Sequence, residues 1–261
     1  MDKKHFLTGL KALLRYHRAM GIDAYPKGVD SEAFLRFQPV SPVSKEPVIQ
    51  TEQPGRGQTG GGRTIQPSAK SSQSLADIAE EVAVCRACDL HKQRIYPVPG
   101  RGPDKVRLLL VGDWLSGDEE GRLPPGQLFG VEQDLMLARM LAAIKLPADS
   151  VFITNVIKCA VPITCQPQAN HVQSCVSFFR RQIAALLPEM ICTMGMVAAR
   201  AVLEKSLPLS RLRGRLHEYQ VSQEVKIPVV TTYHPTYLMQ NAEMKAATWA
   251  DLQLLARALQ L

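Results

Sequence analysis

Four short apolar runs mark the chain beyond residue 100, and none of them alternates strictly between apolar and polar residues. They span residues 106–113, 150–156, 189–195 and 227–235. Continuous apolar runs of this length are typical of strands that are buried on both faces of a parallel sheet. The pattern therefore predicts four buried strands.

Helical periodicity fills the intervals between these runs. Apolar residues recur on one stripe of residues 168–187, and similar patterns predict helices over 131–146 and 241–260. A further helix is expected to begin at Ser74, because Ser at the cap and Asp77 three residues later satisfy free backbone N–H groups. Since strands alternate with helices, we expect an α/β fold, a three-layer α/β/α sandwich around a mostly parallel four-stranded sheet.

Composition divides the chain into three parts. Residues 1–23 have the pattern of an amphipathic helix, and residues 24–73 are rich in Pro, Gly, Ser and Gln. The second part is too poor in apolar residues to offset the entropy of ordering, so we interpret it as a disordered linker. Residues 74–261 form the predicted folded domain. Three roles stay open for the N-terminal helix: docking a protein partner, contacting DNA, or packing on the domain's own surface.

Charge and hydropathy narrow the functional classes only a little. The net charge is +7; residues 1–74 hold 11 Lys and Arg against 6 Asp and Glu, and the remainder holds 20 against 18. A basic balance is compatible with nucleic acid, but most of the surplus lies outside the predicted domain. No segment approaches the roughly 18 consecutive apolar residues of a membrane span, and the N-terminus lacks the apolar core of a secretory signal. We therefore expect a cytoplasmic protein with no membrane contact.

Polar side chains follow three of the four predicted strands. Asp113 follows the first, Asn155 ends the second and His234 ends the fourth. Binding sites of open parallel sheets lie beyond the carboxyl ends of their strands, so we expect these residues at one edge. Pro235 disfavours helical geometry at His234 and keeps it extended. Each residue alone is also typical of a turn or a cap, and their spacing names no reaction.

The chain has six cysteines. In a reducing compartment, cysteines are more often metal ligands or free thiols than partners in disulfides. Two pairs, one local and one bridging a loop, have a spacing that suits a four-thiolate site: Cys85 with Cys88, and Cys159 with Cys175. Zinc or an iron–sulfur cluster could fill such a site. Cys165 is the main rival ligand, and Cys192 lies in an apolar strand as a small core residue. Free buried thiols remain an alternative for all six.

Together these motifs resemble the uracil-DNA glycosylase superfamily, most closely its family 4, whose members carry a 4Fe–4S cluster. The resemblance covers about residues 80–260. It is carried by "CRACDLHKQR", by "VFITNVIKC" with Cys175 sixteen residues after its cysteine, by "LRGRLHEY" and by "TTYHPTYLM". It implies an enzyme that excises uracil, or a related deaminated base, from DNA. We expect the protein to be a monomer.

The resemblance also implies roles for individual residues. A base must leave the stack before its glycosidic bond can be reached. Asn155 would read the polar edge of the base, Phe129 would stack on it, and Gly112 would lie in the same binding site. His234 would donate a hydrogen bond to the uracil oxygen that gains negative charge. Asp113 would orient the attacking water or stabilise the cationic sugar.

The resemblance further implies that the cysteine site is structural. Its ligands would be the four cysteines of the two pairs, Cys85, Cys88, Cys159 and Cys175, holding a 4Fe–4S cluster, with zinc as the alternative. The cluster would tie the leading helix to the loop after Asn155. Hydrolysis of a glycosidic bond requires no redox change from it.

The chain departs from the family pattern in two motifs. The family's G-E-x-P-G reads "GDWLSG" here, so that Asp113 replaces Glu, Leu115 replaces Pro and Ser116 replaces Gly. The second motif, "GQLFG", has Leu128 in place of Pro and one residue fewer. Both walls of the base site are thus altered. Two interpretations follow: a glycosylase with a shifted base preference, or a catalytically weak or inactive iron–sulfur protein that binds DNA.

Overall fold

The computed structural model describes residues 73–118 and 122–261. The helix predicted over 1–23 lies outside the described residues, and so does the linker predicted over 24–73 except for its last residue. The division into three parts therefore stays a prediction. In the part of the chain that is described, no helix is long and apolar enough to cross a membrane.

Strands and helices alternate along the described chain. The strands are, in order, β1 (Tyr96–Pro97), β2 (Leu108–Gly112), β3 (Val151–Asn155), β4 (Cys159–Ala160), β5 (Met190–Met194), β6 (Leu216–Gln220) and β7 (Lys226–Thr232). The α-helices are α1 (Leu75–Val84), α2 (Val131–Ala143), α3 (Ala169–Leu186), α4 (Met196–Leu203), α5 (Leu209–Leu212), α6 (Pro235–Gln240) and α7 (Lys245–Ala258). All four predicted strands and all four helices predicted for residues 74–261 are confirmed, with ends that differ by a few residues.

The central sheet has the order β3-β2-β5-β7-β6. Its first four strands are parallel, and β6 pairs antiparallel with β7 at the edge. The sheet thus has five strands, and the predicted number of four was wrong. In β6 the half-buried His217 and Tyr219 alternate with exposed residues, the pattern of an edge strand with one solvated face. A search for continuous apolar runs misses such a strand.

Helices cover both faces of this sheet, which confirms the three-layer α/β/α sandwich. On one face, α3, α4 and α5 share a core with β2, β3, β5 and β7. On the other face, α2 and α7 pack against the alternate side chains of the same strands. Helix α1 lies outside α3, where Ile78 and Val82 pack against Phe178. Its start is confirmed by a capping box between Ser74 and Asp77.

The parallel strands end level with one another. Gly112 is the register partner of both Asn155 and Met194, and Met194 is the partner of Thr232. After β2 the chain forms β3 on one side of that strand, and later β5 on its other side. Such a reversal opens a crevice beyond the strand ends. The residues that follow Gly112, Asn155 and Thr232 therefore emerge around one crevice.

Candidate functional site

Asn155 is fully buried at the end of β3. Its Nδ2 donates a hydrogen bond of 2.6 Å to the Leu128 main-chain oxygen. Its Oδ1 is buried and has no hydrogen-bond partner in the described part of the chain. A buried acceptor without a partner is costly, so the amide is oriented to accept a hydrogen bond from a ligand.

His234 presents a single buried donor. It is extended, as Pro235 predicts, and it caps α6 by accepting the Thr236 N–H at Nδ1, 3.2 Å away. Because Nδ1 accepts, we assign the proton of the neutral ring to Nε2. Burial lowers the pKa of His234 to about 4, so the ring is neutral at pH 7. Nε2 is buried, and no described residue accepts its hydrogen bond.

Phe129 and Gly112 complete the wall beside these two groups. The ring centroids of Phe129 and His234 lie 4.9 Å apart, with their planes inclined by 55°. A Cβ atom at Gly112 would collide with the Phe129 ring and with Asn155 Oδ1. Glycine is therefore required for the aromatic ring and the amide to approach β2 so closely. The structure brings four of the predicted site residues together here.

Asp134, which sequence reasoning missed, holds the loop that carries Phe129. Its two carboxylate oxygens accept the Phe129 N–H at 2.9 Å and the Leu128 N–H at 3.0 Å. Burial raises the pKa of Asp134, and the two N–H groups oppose that shift. The available signal was an acidic residue in the first turn of α2, a position where carboxylates satisfy nearby backbone donors.

Asp113 lies at the same edge but turns towards α4. Its Oδ1 accepts the Ala198 N–H at 2.7 Å, and Gly195, at φ +105°, packs directly against the carboxylate. Burial raises the pKa of Asp113 to about 7, while the backbone N–H groups of Ala198 and Val197 oppose that shift. In the described structure, its carboxylate forms no hydrogen bond with Asn155, Phe129 or His234. The structure thus gives Asp113 a second task as a cap of α4.

The other divergent residues of the first motif are accommodated by packing. Leu115 is fully buried, in a core with α2. The Trp114 indole packs against the opposite core and donates to Ser116 Oγ at 3.1 Å. Trp114, Leu115 and Ser116 therefore form a packed segment after β2.

The four predicted ligands surround one small pocket. Cys85 follows α1, Cys88 begins the next short helical turn, Cys159 lies in β4 and Cys175 lies in α3; all four line this pocket. Neither of the other two cysteines lines it, and Cys192 is buried inside β5. The rival ligand Cys165 is therefore not favoured by the geometry.

The four thiols form a donor set that suits a metal centre. Burial raises the pKa of Cys159, and raises that of Cys175 to about 11; each also responds to Cys88. Within the described ranges, no three His, Cys, Asp or Glu side chains are close enough to hold one metal ion. A tetrahedral zinc needs its thiolates around one point, whereas a cluster binds each thiolate through a separate iron. The four thiols around this pocket are candidate ligands of either group.

Lys158 connects the cysteine pocket with the crevice, and sequence reasoning missed it. Its side chain is buried and also lines the pocket. Its Nζ lies 2.6 Å from Thr154 Oγ1, 2.7 Å from the Asn155 main-chain oxygen and 2.6 Å from Gln182 Oε1. Burial lowers the pKa of Lys158 to about 7. The sequence offered one hint of this contact: Gln182, the partner of Lys158, is a polar residue beside the apolar stripe of α3.

Sequence comparisons with known proteins point to one superfamily. A family model described as the uracil DNA glycosylase superfamily matches residues 99–253. The chain is 31% identical to a type-4 uracil-DNA glycosylase of Archaeoglobus fulgidus, over 69% of this chain and 91% of that protein. It is 30% identical to a type-4 uracil-DNA glycosylase of Sulfurisphaera tokodaii, over 69% of this chain and 82% of that protein. A type-5 uracil-DNA glycosylase of Pyrobaculum aerophilum is 28% identical over a shorter stretch, 56% of this chain and 68% of that protein.

Proposed function

The chain belongs to the uracil DNA glycosylase superfamily, and from that membership we propose that it is a DNA glycosylase. It hydrolyses the N-glycosidic bond of uracil, or of a related deaminated base, in DNA for base excision repair. One observation carries the proposal. Asn155 Oδ1 and His234 Nε2, an acceptor and a donor, are buried at the same sheet edge, and no described residue forms a hydrogen bond with either atom.

Base recognition follows from the free capacity of the Asn155 amide. Its Oδ1 accepts the ring N–H of uracil, and Nδ2 keeps one hydrogen beyond the bond to Leu128 for the neighbouring carbonyl oxygen. Stacking of the flipped ring on Phe129 contributes about 1–3 kcal/mol. Gly112 leaves the space in which ring and amide approach each other.

Cleavage of the glycosidic bond leaves its electron pair on the base. The negative charge spreads to a ring carbonyl oxygen, and the Nε2–H of His234 donates to that oxygen. A neutral imidazole suits this task, since it keeps its proton and stabilises the anion as a fixed donor. The low pKa of His234 keeps the ring neutral over the physiological range.

Asp113 is the proposed acid–base group of the second half of the reaction. Water attacks the cationic sugar carbon and loses a proton, which Asp113 accepts. A pKa near 7 suits a group that must be ionised before attack and protonated after it. Asp is one methylene shorter than the Glu of the family pattern, and its tie to Ala198 fixes its position.

The alternative, an inactive protein of the same fold that only binds DNA, is not favoured. Buried polar atoms without partners cost stability, and native structures retain few of them. A degenerate site would gain stability by replacing Asn155 or His234 with apolar residues. The retention of both, together with Gly112, is explained by a base that satisfies them.

The proposed cofactor is a 4Fe–4S cluster held by Cys85, Cys88, Cys159 and Cys175. When bound, it supplies a covalent tie between elements that are distant in the chain. These four residues join the end of α1, strand β4 and helix α3. The residues of the crevice perform the hydrolysis themselves.

DNA is the proposed partner, bound by a monomer in the cytoplasm. The superfamily membership supports the DNA partner. A cytoplasmic site agrees with thiols that must stay reduced to bind iron. One chain supplies every residue that the proposed reaction uses, so no second copy is required.

The decisive experiment measures excision from a single-stranded oligonucleotide that carries one uracil. Protein purified without air is incubated with it, and alkali then cleaves any abasic product. We expect cleavage by the wild type and a loss of about 10²-fold or more for Asn155→Ala. Asn170→Ala, an exposed asparagine of α3, is the matched control and should match the wild type.

If the iron-loaded wild type leaves uracil intact, hypoxanthine and xanthine oligonucleotides are tested in the same way. Excision of either one supports a shifted base preference. Binding of all three substrates without excision of any would overturn the proposed enzyme and favour the DNA-binding alternative.

A further inference from the structure

Among the described residues, Lys158 alone both lines the cysteine pocket and donates side-chain hydrogen bonds to the end of β3. It stands between Asn155 and Cys159 in the chain, and its buried side chain runs beside Cys175. On one side it lines the pocket. On the other, its Nζ holds the main-chain oxygen of Asn155 at 2.7 Å.

The oxygen partners of Lys158 Nζ suit an ammonium group. Three oxygen atoms lie within 2.7 Å of Nζ, and an ammonium offers three donors and no acceptor. The Thr154 hydroxyl has its own acceptor in Gln182 Oε1, at 3.2 Å, so it is free to accept from the lysine. This set of three oxygen neighbours favours the charged form of Lys158 beside the four cysteines.

A 4Fe–4S cluster would place net negative charge in this partly buried pocket, because four thiolates outweigh the two positive charges of the usual core. Buried charge is costly unless an opposite charge lies nearby. Arg94 is a second cation close to these cysteines. It donates to three carbonyl oxygens at the C-terminal end of α1 and acts on the Cys159 thiol. Lys158 and Arg94 together would offset the charge of the assembly.

We propose that Lys158 is a positioning residue that couples the cysteine site to the base-reading edge of the sheet. It offsets the negative charge of the bound cluster and, through the same nitrogen, fixes the main chain of Asn155. The inference rests on the proposed function for the second half of this statement only. Arg94 shares the first task and lacks the second, since none of its hydrogen bonds reaches Asn155 or Thr154.

This difference between the two cations defines the experiment. Lys158→Met keeps the volume of the side chain and removes the charge, and Arg94→Gln removes the other charge. Lys158→Gln keeps amide donors for Asn155 and serves if the methionine variant does not fold. Arg94→Lys is the matched control that keeps the charge. Full-length proteins are purified without air and compared with the wild type.

The first readouts are independent of glycosylase activity. They are iron and sulfide per chain, the rate of iron loss to a chelator, and the reduction potential of the cluster. Loss of a nearby cation makes addition of an electron to the cluster harder. Lys158→Met and Arg94→Gln should therefore both shift the reduction potential to more negative values and lose iron faster than the wild type. Arg94→Lys should match the wild type in both measurements.

The second readout compares steady-state kinetics on the uracil oligonucleotide at equal iron content. Lys158→Met should lower kcat/KM by about tenfold or more, because small displacements of a reading group are costly. Arg94→Gln should change it far less. Lys158→Gln should lie between Lys158→Met and the wild type, since it still donates to the Asn155 oxygen.

Wild-type potential and iron retention in Lys158→Met would overturn the charge half of the proposal. Equal kcat/KM for the Lys158 and Arg94 variants would overturn the coupling to Asn155. If the wild type excises no base, the proposed function fails; binding of the uracil oligonucleotide then replaces kcat/KM, and the iron measurements test the charge half as before.

Discussion

Residue Asp113 is held by backbone N–H groups at the start of α4, and burial raises the pKa of its carboxyl group to about 7. Such a carboxylate can cap a helix and accept a proton, but the two tasks make different demands. A cap needs only an oxygen that accepts hydrogen bonds, whereas a base needs the negative charge. Substitution by asparagine keeps the oxygen and removes the charge, so it separates the two.

Asp113→Asn should lower excision by about 10²–10⁴-fold, the usual contribution of a general base. Wild-type excision should rise as the pH passes through about 7, where the carboxyl group ionises. The variant should lose that rise. The measurement is kcat/KM against pH from 5 to 9, with DNA affinity by fluorescence anisotropy as the control. Near-wild-type excision by the variant would leave Asp113 a helix cap and no more.

The same substitution should raise stability at high pH. The pKa of Asp113 is about 7 in the folded protein and near 3.8 when exposed, so the folded state binds the proton more tightly. The contribution of Asp113 to stability is then largest below pH 3.8 and falls as the pH rises from there to 7, by about 4 kcal/mol in all. Urea denaturation should find Asp113→Asn more stable than the wild type at pH 8, with a difference that shrinks towards pH 4.

Replacement of Gly112 tests whether the Phe129 ring and the Asn155 amide must approach β2 closely. Gly112→Ala places a methyl group against the Phe129 ring and Asn155 Oδ1. We expect excision to fall by about 10²-fold, since a displacement of a reading group by about 1 Å costs that much. Circular dichroism should show an intact fold. In a chain that already carries Phe129→Ala, one of the two collisions is gone, so Gly112→Ala should cost less excision than it does in the wild type; an equal cost would contradict the proposed clash.

At the scale of elements, one buried carboxylate fixes the segment that leads to His234. Asp251 of α7 is fully buried and accepts from Arg213 Nε at 3.0 Å, from the Gly214 N–H at 3.0 Å and from Thr232 Oγ1 at 2.7 Å. The Arg213 guanidinium lies over the Tyr233 ring, 5.2 Å from its centre. Helix α7, the loop before β6 and the end of β7 are thus joined at one point.

Asp251→Ala should destabilise the protein by roughly 3–5 kcal/mol, because it leaves the largely buried Arg213 without its partner. The free energy of unfolding in urea checks this value. Lys226→Ala is the matched control: its ion pair with Glu218 is exposed on both sides, and such pairs contribute about 1 kcal/mol or less. If both variants lose similar amounts of unfolding free energy, the Asp251 network stabilises the protein no more than an exposed ion pair does.

Local sequence patterns predicted the helices and strands well, but they did not predict the polar contacts between those elements. The apolar runs found β2, β3, β5 and β7, and strand-end logic found Asn155 and His234. Asp134, Lys158, Gln182 and Asp251 were missed, because a buried polar residue is recognised only when its partner in another element is known. Strand β6 was missed for a different reason, since only one of its faces is covered.

At the scale of the whole molecule, the fold class followed from the order of elements, while the proposed roles of the site followed from resemblance. Alternation of strands and helices limits the topology to a few arrangements. Nothing in the spacing of the motif after β2 foretold that Asp113 would turn towards α4, because that contact depends on Gly195, far away in the sequence. The uneven distribution of charge, however, is visible in the sequence and leads to a prediction for the full chain.

Residues 1–74 hold five of the seven net positive charges, whereas the family match begins at residue 99. We expect a chain that starts at residue 73 to excise uracil with an unchanged kcat. Its DNA affinity should depend less steeply on salt, because each lost phosphate contact lowers the slope of log Kd against log salt by about 0.7 on single strands. Anisotropy titrations between low and physiological salt measure that slope.

A full-length variant with Gln in place of the Lys and Arg residues of this segment separates charge from any other contribution. If the segment acts through phosphates, this variant and the truncated chain should share the same shallow slope. A truncated chain with the wild-type slope would contradict the prediction. The surplus charge would then have no part in DNA binding, and the predicted N-terminal helix would be left with docking to a protein partner or packing on its own domain.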